Sequence, residues 1–371
     1  MKRKLHSTRE ILFAGLLALA ATSSPMHAAA SLNAGYVQTN LVSNLPGIAR
    51  NQDARALNSW GIVAGPATVW VNHNHSGSTV AYGPFGTVHP YAINIPAPGG
   101  GANGGAPTGL EFNRTLQFVL TSGHKQAPAT FLMATEDGTI VAWNPTINGS
   151  NAVIMADRSG SDAVYKGLAI VRDATDAPLI FAADFRNAQI DVFDGAFHYL
   201  RSFTDPDVPV GYAPFNVRNI RGRMFVTFAK QLGPDNEDDE AGPGNGYVDI
   251  FDTDGTMLRR FATRGALNSP WGLAVAPRNF GIFSHALLVG NFGDGRINAY
   301  DILTGKLLGH MSNADGSDLA IPGLWGLTFE RDELPERESF FTADRLYFTA
   351  GPNDEDDGLF GIIRPINHQV R

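Results

Sequence analysis

Two short words recur six times along this chain, and that repetition limits its fold more than any single residue does. The first word is a bulky or polar residue, a glycine (asparagine in the fourth copy) and an aliphatic residue. It reads Trp60-Gly61-Ile62, Thr108-Gly109-Leu110, Lys166-Gly167-Leu168, Phe215-Asn216-Val217, Trp271-Gly272-Leu273 and Trp325-Gly326-Leu327. Their middle residues lie 48, 58, 49, 56 and 54 positions apart. A second word, Gly-x-apolar-x-apolar-aromatic, follows each first one at 77–82, 138–143, 246–251 and 295–300, with Ala188 in place of glycine at 188–193 and a looser copy at 358–363. A further apolar run precedes each second word, from Val69-Trp70-Val71 to Leu346-Tyr347-Phe348, and a fourth, such as Lys306-Leu307-Leu308-Gly309, usually follows it. Alternation with period two is the mark of strands, and a self-similar unit of about 50 residues with four of them is a propeller blade. The expectation is therefore an all-β chain, a six-bladed β-propeller with four antiparallel strands per blade. The sixth unit lacks an evident fourth strand. The spare apolar run Tyr36–Val42 is expected to supply it, the N-terminal strand closing the last blade and removing the exposed edges.

Composition supports this reading and narrows the chemistry. With 41 Gly and 22 Pro in 371 residues, turns are frequent and long helices have little room. Zero Cys excludes disulfides, zinc-thiolate centres and thiol nucleophiles. The formal charge of −8, without a run of clustered Lys and Arg, argues against a nucleic-acid partner. Lys2, Arg3, Lys4 and Arg9, then an apolar stretch from Ile11 to Ala21 and small residues at 28–30, read as a secretory signal peptide over residues 1–30. Residues 31–371 would then form a single domain of formal charge −11, since the removed segment carries four basic residues and one acidic residue. The expected compartment is outside the cytoplasm, periplasmic or extracellular, with no membrane span.

Several longer phrases carry a resemblance. Asn58-Ser-Trp-Gly61, Ala182-Ala-Asp-Phe-Arg-Asn187, Gly244-Asn-Gly-Tyr-Val-Asp-Ile-Phe-Asp252, Pro270-Trp-Gly-Leu273, Val289-Gly-Asn-Phe-Gly-Asp294 and Phe348-Thr-Ala-Gly-Pro352 look like an uncharacterised bacterial family of exported six-bladed propellers, some members of which carry a PEP-CTERM sorting tail. More distantly, the chain is similar to NHL-repeat and gluconolactonase-type propellers. The resemblance implies the fold and export. It transfers no catalytic residue, because the family has no established activity.

The turns between the second and third strands of the blades should open onto one mouth of the channel, and they are rich in oxygen. Glu136, Asp184, Asn291, Asn72 and Asp294 are the candidate metal ligands, since Ca²⁺ takes six to eight oxygen donors. A gluconolactonase-like site would need Glu136, Asn291 and Asp184 to converge on one ion. The reading set against it is that these are solvated turns whose Asp, Asn and Gly suit the backbone angles. His73 and His75 alternate, so an extended chain would point both the same way. With Arg186, Asp235 and Asp354 they form the candidate ligand-binding set. No Gly-x-Ser-x-Gly elbow is present, and the glycine-rich run 99–105 lacks the Lys-Ser/Thr of a phosphate loop. Trp60, Trp271 and Trp325 suit blade packing better than sugar stacking. Two function classes remain: a module binding a small molecule or an envelope protein through an acidic mouth, with Ca²⁺ as its possible ion, or a metal-dependent hydrolase or lactonase.

Overall fold

In the computed structural model, residues 35–65, 67–99, 104–329 and 344–366 are described. The expected signal segment 1–30 and the centre of the glycine-rich run lie outside these residues.

Six sheets of four antiparallel strands follow one another along the chain, the last extended by the short strand Asn51–Gln52, which pairs parallel to Tyr36–Ser43. Blade 1 is built from Ser59–Ala64, Val69–His73, Ser78–Tyr82 and Val88–Asn94. Blade 2 comprises Pro107–Phe112, Phe131–Thr135, Thr139–Trp143 and Val153–Asp157, with an extra hairpin inserted after its first strand. Blade 3 comprises Tyr165–Arg172, Pro178–Asp184, Gln189–Phe193 and Tyr199–Phe203. Blade 4 runs through Tyr212–Ile220, Arg223–Lys230, Gly246–Phe251 and Met257–Thr263. Blade 5 runs through Pro270–Val275, Leu287–Asn291, Ile297–Tyr300 and Leu307–His310. Blade 6 takes Leu324–Phe329, Leu346–Ala350 and Leu359–Pro365 from the C-terminal part of the chain, and its fourth strand is Tyr36–Ser43. Tyr36 pairs with Pro365 and Ser43 with Leu359, so the expected N-terminal closure is observed.

Both repeated words have a mechanical role. Each first word lies in the leading part of the innermost strand of a blade, and these six strands pack side by side around the axis. The aliphatic third residues, Ile62, Leu110, Leu168, Val217, Leu273 and Leu327, form a collar, one from each blade, around a cavity of only about 20 Å³. That is room for about one water molecule. The glycines let the inner strands touch. A Cβ on Gly61 would lie 2.2 Å from the Thr108 carbonyl oxygen, and one on Gly326 would lie 2.7 Å from that of Trp60. Blade 4 has Asn216 instead. Its Nδ2 donates to the Trp271 carbonyl at 2.9 Å and its Oδ1 accepts from Val217 N at 2.8 Å, so the larger residue bonds to the neighbouring blade that glycine would have approached.

Between blades the packing is aromatic and aliphatic. Leu41, Val42, Tyr82, Tyr347 and Phe360 form one such buried seam, and Phe181, Phe228, Tyr247 and Phe251 belong to another. Among the described residues, no helix is long and apolar enough to cross a membrane.

Candidate functional site

The mouth at the leading end of the inner strands is set by the first residue of each first word. Side chains two apart on a strand share a face, so the residues preceding each glycine sit above the aliphatic collar. Trp60, Phe215, Trp271 and Trp325 join Phe185 in one buried cluster against which Phe292 packs. Trp60 and Trp325 stack with centroids 3.7 Å apart, and Phe292 stacks on Trp325 at 4.0 Å. Trp271 reaches across the channel, its Nε1 donating to the Lys166 carbonyl at 3.0 Å. The expected packing role of the tryptophans is what the structure shows.

Lys166 breaks this aromatic layer. Its side chain is 3% exposed, with Nζ 2.5 Å from Glu136 Oε1, 3.5 Å from Asp238 Oδ1 and 5.4 Å from the centre of the Trp60 ring. Glu136 also accepts from Asn74 Nδ2 at 2.8 Å. Burial alone would lower the Lys166 pKa, but the charges of Glu136, Asp238 and Glu355 reverse this and raise it, so the ammonium persists at neutral pH. Glu355, on the blade 6 loop, accepts from Asn58 Nδ2 at 2.5 Å. Burial first, and then the charge of Glu136, push it up to about 7. Burial also raises the pKa of Asp239, against the opposing pull of the nearby Ser269 hydroxyl and the Lys166 charge. Among the described residues, Asp239 Oδ2 and Trp60 Nε1 are buried with no hydrogen-bond partner. Such orphaned atoms are costly unless water or a ligand completes them. The mouth thus has an aromatic floor, one fixed cation, an excess of carboxylates and one carboxyl that titrates near neutrality.

The structure distributes the expected site residues differently. The second strands run further than the sequence suggests, through His73, Asp184 and Asn291, so these residues and Asn72 are locked into strands. Asn72 Nδ2 donates to the carbonyls of Thr108 and Gly109 in blade 2, at 3.0 and 3.2 Å. Asp184, raised to about 6 by burial, accepts from Val164 N at 3.1 Å and Asn187 Nδ2 at 2.8 Å. Asn291 donates to the Ala266 carbonyl at 2.8 Å and to Asp294 at 3.0 Å. Asp184 and Asn291 are each engaged around their own blade, and Glu136 is taken up by Lys166 and by Asn74 of blade 1. No group of three His, Asp or Glu side chains among the described residues is arranged to hold a metal ion. In place of a shared ion, Glu136 has the ammonium of Lys166.

The two histidines part company. His73 is buried, with Nε2 2.7 Å from the Tyr82 hydroxyl and Nδ1 3.1 Å from Ser59 Oγ, and burial lowers its pKa to about 3. The strand ends there, and the turn carries His75 to the surface. Arg186 forms an ion pair with Glu237 on the rim. Asp235 and Asp354 are exposed on the blade 4 and blade 6 loops.

Sequence reasoning missed Lys166, Asn74, Asn58 and Glu355 as site residues. The signal existed: Lys166 stands where three of the other five first words carry tryptophan, and Asn74 and Glu136 are each the first residue after a second strand.

Relatives can now be set beside this geometry. The chain is 33% identical over 331 residues to uncharacterised protein R648 of Acanthamoeba polyphaga mimivirus, covering 87% of this chain and 78% of that protein. It is 32% identical over 347 residues to uncharacterised protein L690 of the same virus, covering 91% and 87%. The chain belongs to their family. These relatives of the R648/L690 family are viral, where the resemblance in the sequence implied bacterial ones. No protein-family model matches the chain. Among solved structures, it is similar to a streptogramin B lyase (10% identity, TM-score 0.48, covering 89% of this chain and 97% of that one). It is also similar to a glucose dehydrogenase (10%, TM-score 0.49, covering 90% and 100%). The propeller assignment for this family member rests on its own sheet order.

Proposed function

We propose that the Lys166 mouth binds a small cation or an amine-bearing ligand, so that the chain acts as a binding module. The observation that carries this reading is the imbalance around Lys166. Glu136, Asp238, Asp239 and Glu355 face one ammonium, and Asp239 Oδ2 is a buried acceptor with no partner among the described residues. A ligand that donates a hydrogen bond to Asp239 would satisfy that atom and offset the carboxylate excess. Its apolar part would meet the aromatic cluster. Ca²⁺ is one cation this reading allows.

Calorimetric titration with Ca²⁺ and with 1,4-diaminobutane, on wild type and Asp239→Asn, tests it. We expect saturable binding of one of the two, at least tenfold weaker in the variant, and a raised melting temperature, since ligand at 100 times Kd stabilises by about 2.7 kcal/mol. Absence of heat and of a melting shift with both probes would end the binding reading.

A second reading is supported by Glu355. A carboxyl titrating near neutrality beside a fixed ammonium suits general acid–base work, so the site could hydrolyse an ester or lactone, with Glu355 taking the proton of the attacking water. A lactone and ester screen with Glu355→Gln as the inactive control tests this reading.

A further inference from the structure

The seam between blades 3 and 4 buries two carboxyl groups on one guanidinium. Asp249, the fourth residue of the second word in its blade, stands on the third strand between Tyr247 and Phe251, which belong to the apolar packing of that seam. Asp205 comes from the link that leads out of blade 3 into blade 4. Both carboxyl side chains are fully buried, and Arg260 of the outer strand reaches both, with Nη2 2.9 Å from Asp205 Oδ2 and Nε 2.8 Å from Asp249 Oδ1. Its Nη1 donates to the Asp207 carbonyl at 3.3 Å, and Asp207 N donates to Asp205 Oδ1 at 2.8 Å. Three of the four carboxyl oxygens therefore have donors. The fourth, Asp249 Oδ2, is buried with no partner among the described residues. The equivalent carboxyl of blade 3, Asp191, has no such gap: its Oδ1 accepts from Gln189 at 3.0 Å and its Oδ2 from Tyr165 at 2.7 Å.

We propose that Asp205 and Asp249 share one proton, carried on Asp249 Oδ2 and donated to Asp205, and that this proton locks the link between the two blades. One guanidinium offsets one carboxylate. A second bare charge in an apolar seam is costly, and a carboxyl so placed takes up a proton instead. The other charged and titratable groups of the seam are engaged elsewhere. Tyr247, on the same strand, lies under Arg260 at 4.8 Å, and its hydroxyl accepts from Arg264 Nε at 2.8 Å. The second strand sets uncharged Val226 opposite Asp249. From blade 3, Arg201 crosses to the Thr253 carbonyl at 2.9 Å, and Asp207 in the link is exposed. Burial first, and then the Asp205 carboxyl, push Asp249 up to about 8 against the pull of Arg260. The inference does not rest on the reading of the Lys166 mouth.

Infrared difference spectroscopy of the full chain between about pH 5 and about pH 9 tests it, because a protonated carboxyl has a carbonyl stretch distinct from that of a carboxylate. The wild type should show such a band, lost at the higher pH, that is missing from both Asp249→Asn and Asp205→Asn. In either variant the amide donates where the proton did, so the fold should persist. In the wild type itself, carbon NMR of labelled aspartate carboxyls should show one that titrates near 8. The sign for stability follows, since the folded value lies above the 3.8 of a free aspartate: the contribution is fully present below about pH 4 and is lost as the pH rises toward 8. The melting temperature of Asp249→Asn should therefore gain on that of wild type between about pH 5 and about pH 9. Loss of the band in Asp249→Asn but not in Asp205→Asn would overturn the sharing. A spectrum and a melting difference that Asp249→Asn leaves unchanged with pH would overturn the proton lock altogether.

Discussion

Asn58 Oδ1 accepts a hydrogen bond from Trp325 Nε1 at 3.0 Å, joining two residues 267 positions apart. Asn58 sits at the entrance to the first blade and Trp325 at the start of the last, so this bond helps seal the ring where its two ends meet. The backbone carbonyl of Asn58 also accepts from Asn74 N, and its N–H donates to the Asp357 carbonyl. One buried amide thereby ties ring closure to the mouth, because its Nδ2 bonds Glu355.

Asn58→Ala should therefore destabilise the fold by about 2–3 kcal/mol. It leaves the Trp325 indole without its acceptor and places alanine at φ +45°, where asparagine is better tolerated. Asn58→Asp retains an acceptor for Trp325 but sets a second carboxylate beside Glu355. That variant should move the Glu355 titration above 7. Chemical denaturation of the first variant and NMR titration of the Glu355 carboxyl in the second are the measurements.

The Glu355 titration has a defined sign. Its pKa is about 7 in the folded state against 4.5 as a free side chain, so the folded protein holds the proton more tightly. The associated stability is present below about pH 4.5 and is lost as the pH rises toward and through 7. Glu355→Gln removes the charge while keeping an oxygen to accept from Asn58. It should match wild type at pH 4.5 and exceed it at pH 8 by on the order of 1 kcal/mol, a rise of about 2 °C in a domain of this size. Thermal melts of both proteins at the two pH values provide the check, and an equal difference at both would contradict the assignment.

The repeated glycine can be tested directly. Gly61→Ala would put a methyl group 2.2 Å from a backbone oxygen of the adjoining inner strand, which has no room to retreat. A loss of about 2–4 kcal/mol is expected from overpacking at this contact. Gly160→Ala meets nothing within 4 Å and should change stability by no more than about 0.5 kcal/mol. Parallel urea denaturation of the two variants separates the effects.

These glycines also show why the fold was readable and the site only partly so. A ring of like blades requires a similar approach at each inner strand, so the sequence repeats the glycine that permits it in five blades, with Asn216 in its place in blade 4, and the repeat counts the blades. The mouth has no such symmetry. Lys166, Glu136, Glu355 and Asn58 come from four different segments; Lys166 and Glu136 occupy positions where the other blades carry something else, while the Gly-Pro-x-x-Glu-Asp-Asp run of Glu355 recurs in blade 4 with Glu237, which pairs with Arg186 instead. Asp184 and Asn291 looked like turn ligands because each opens a polar run, Asp184-Phe-Arg-Asn187 and Asn291-Phe-Gly-Asp294, yet each ends a buried strand and fastens the link into its own blade. One residue of strand length decides whether such a side chain reaches the channel or the seam. Hydrogen bonding to a carbonyl elsewhere in the chain sets that length, as in Asn291 to Ala266. The Asp205–Asp249 pair was invisible for a related reason, since a link residue and a strand residue meet on Arg260 only once blade 4 has folded against the link that enters it.

Closure by the N-terminal strand connects the fold to the proposed export of the chain. Removal of residues 1–30 would leave Tyr36–Ser43 in place to pair with Leu359–Pro365, so a chain beginning at residue 31 should melt cooperatively. A chain beginning at residue 44 loses the completely buried Leu41 and Val42 and leaves the edge of Leu359–Pro365 unpaired. Each of these side chains contributes about 1.5–3 kcal/mol by burial, and an exposed apolar edge favours association between chains. The shorter chain should therefore aggregate or melt at least 10 °C lower, while the longer one remains monodisperse. Size-exclusion chromatography and calorimetry distinguish these outcomes. Expression of the full-length chain in a bacterial host, followed by N-terminal sequencing of the periplasmic fraction, locates the cleavage site. A start between residues 28 and 36 would support export with the closing strand intact, and recovery of only the uncut chain in the cytoplasm would refute it.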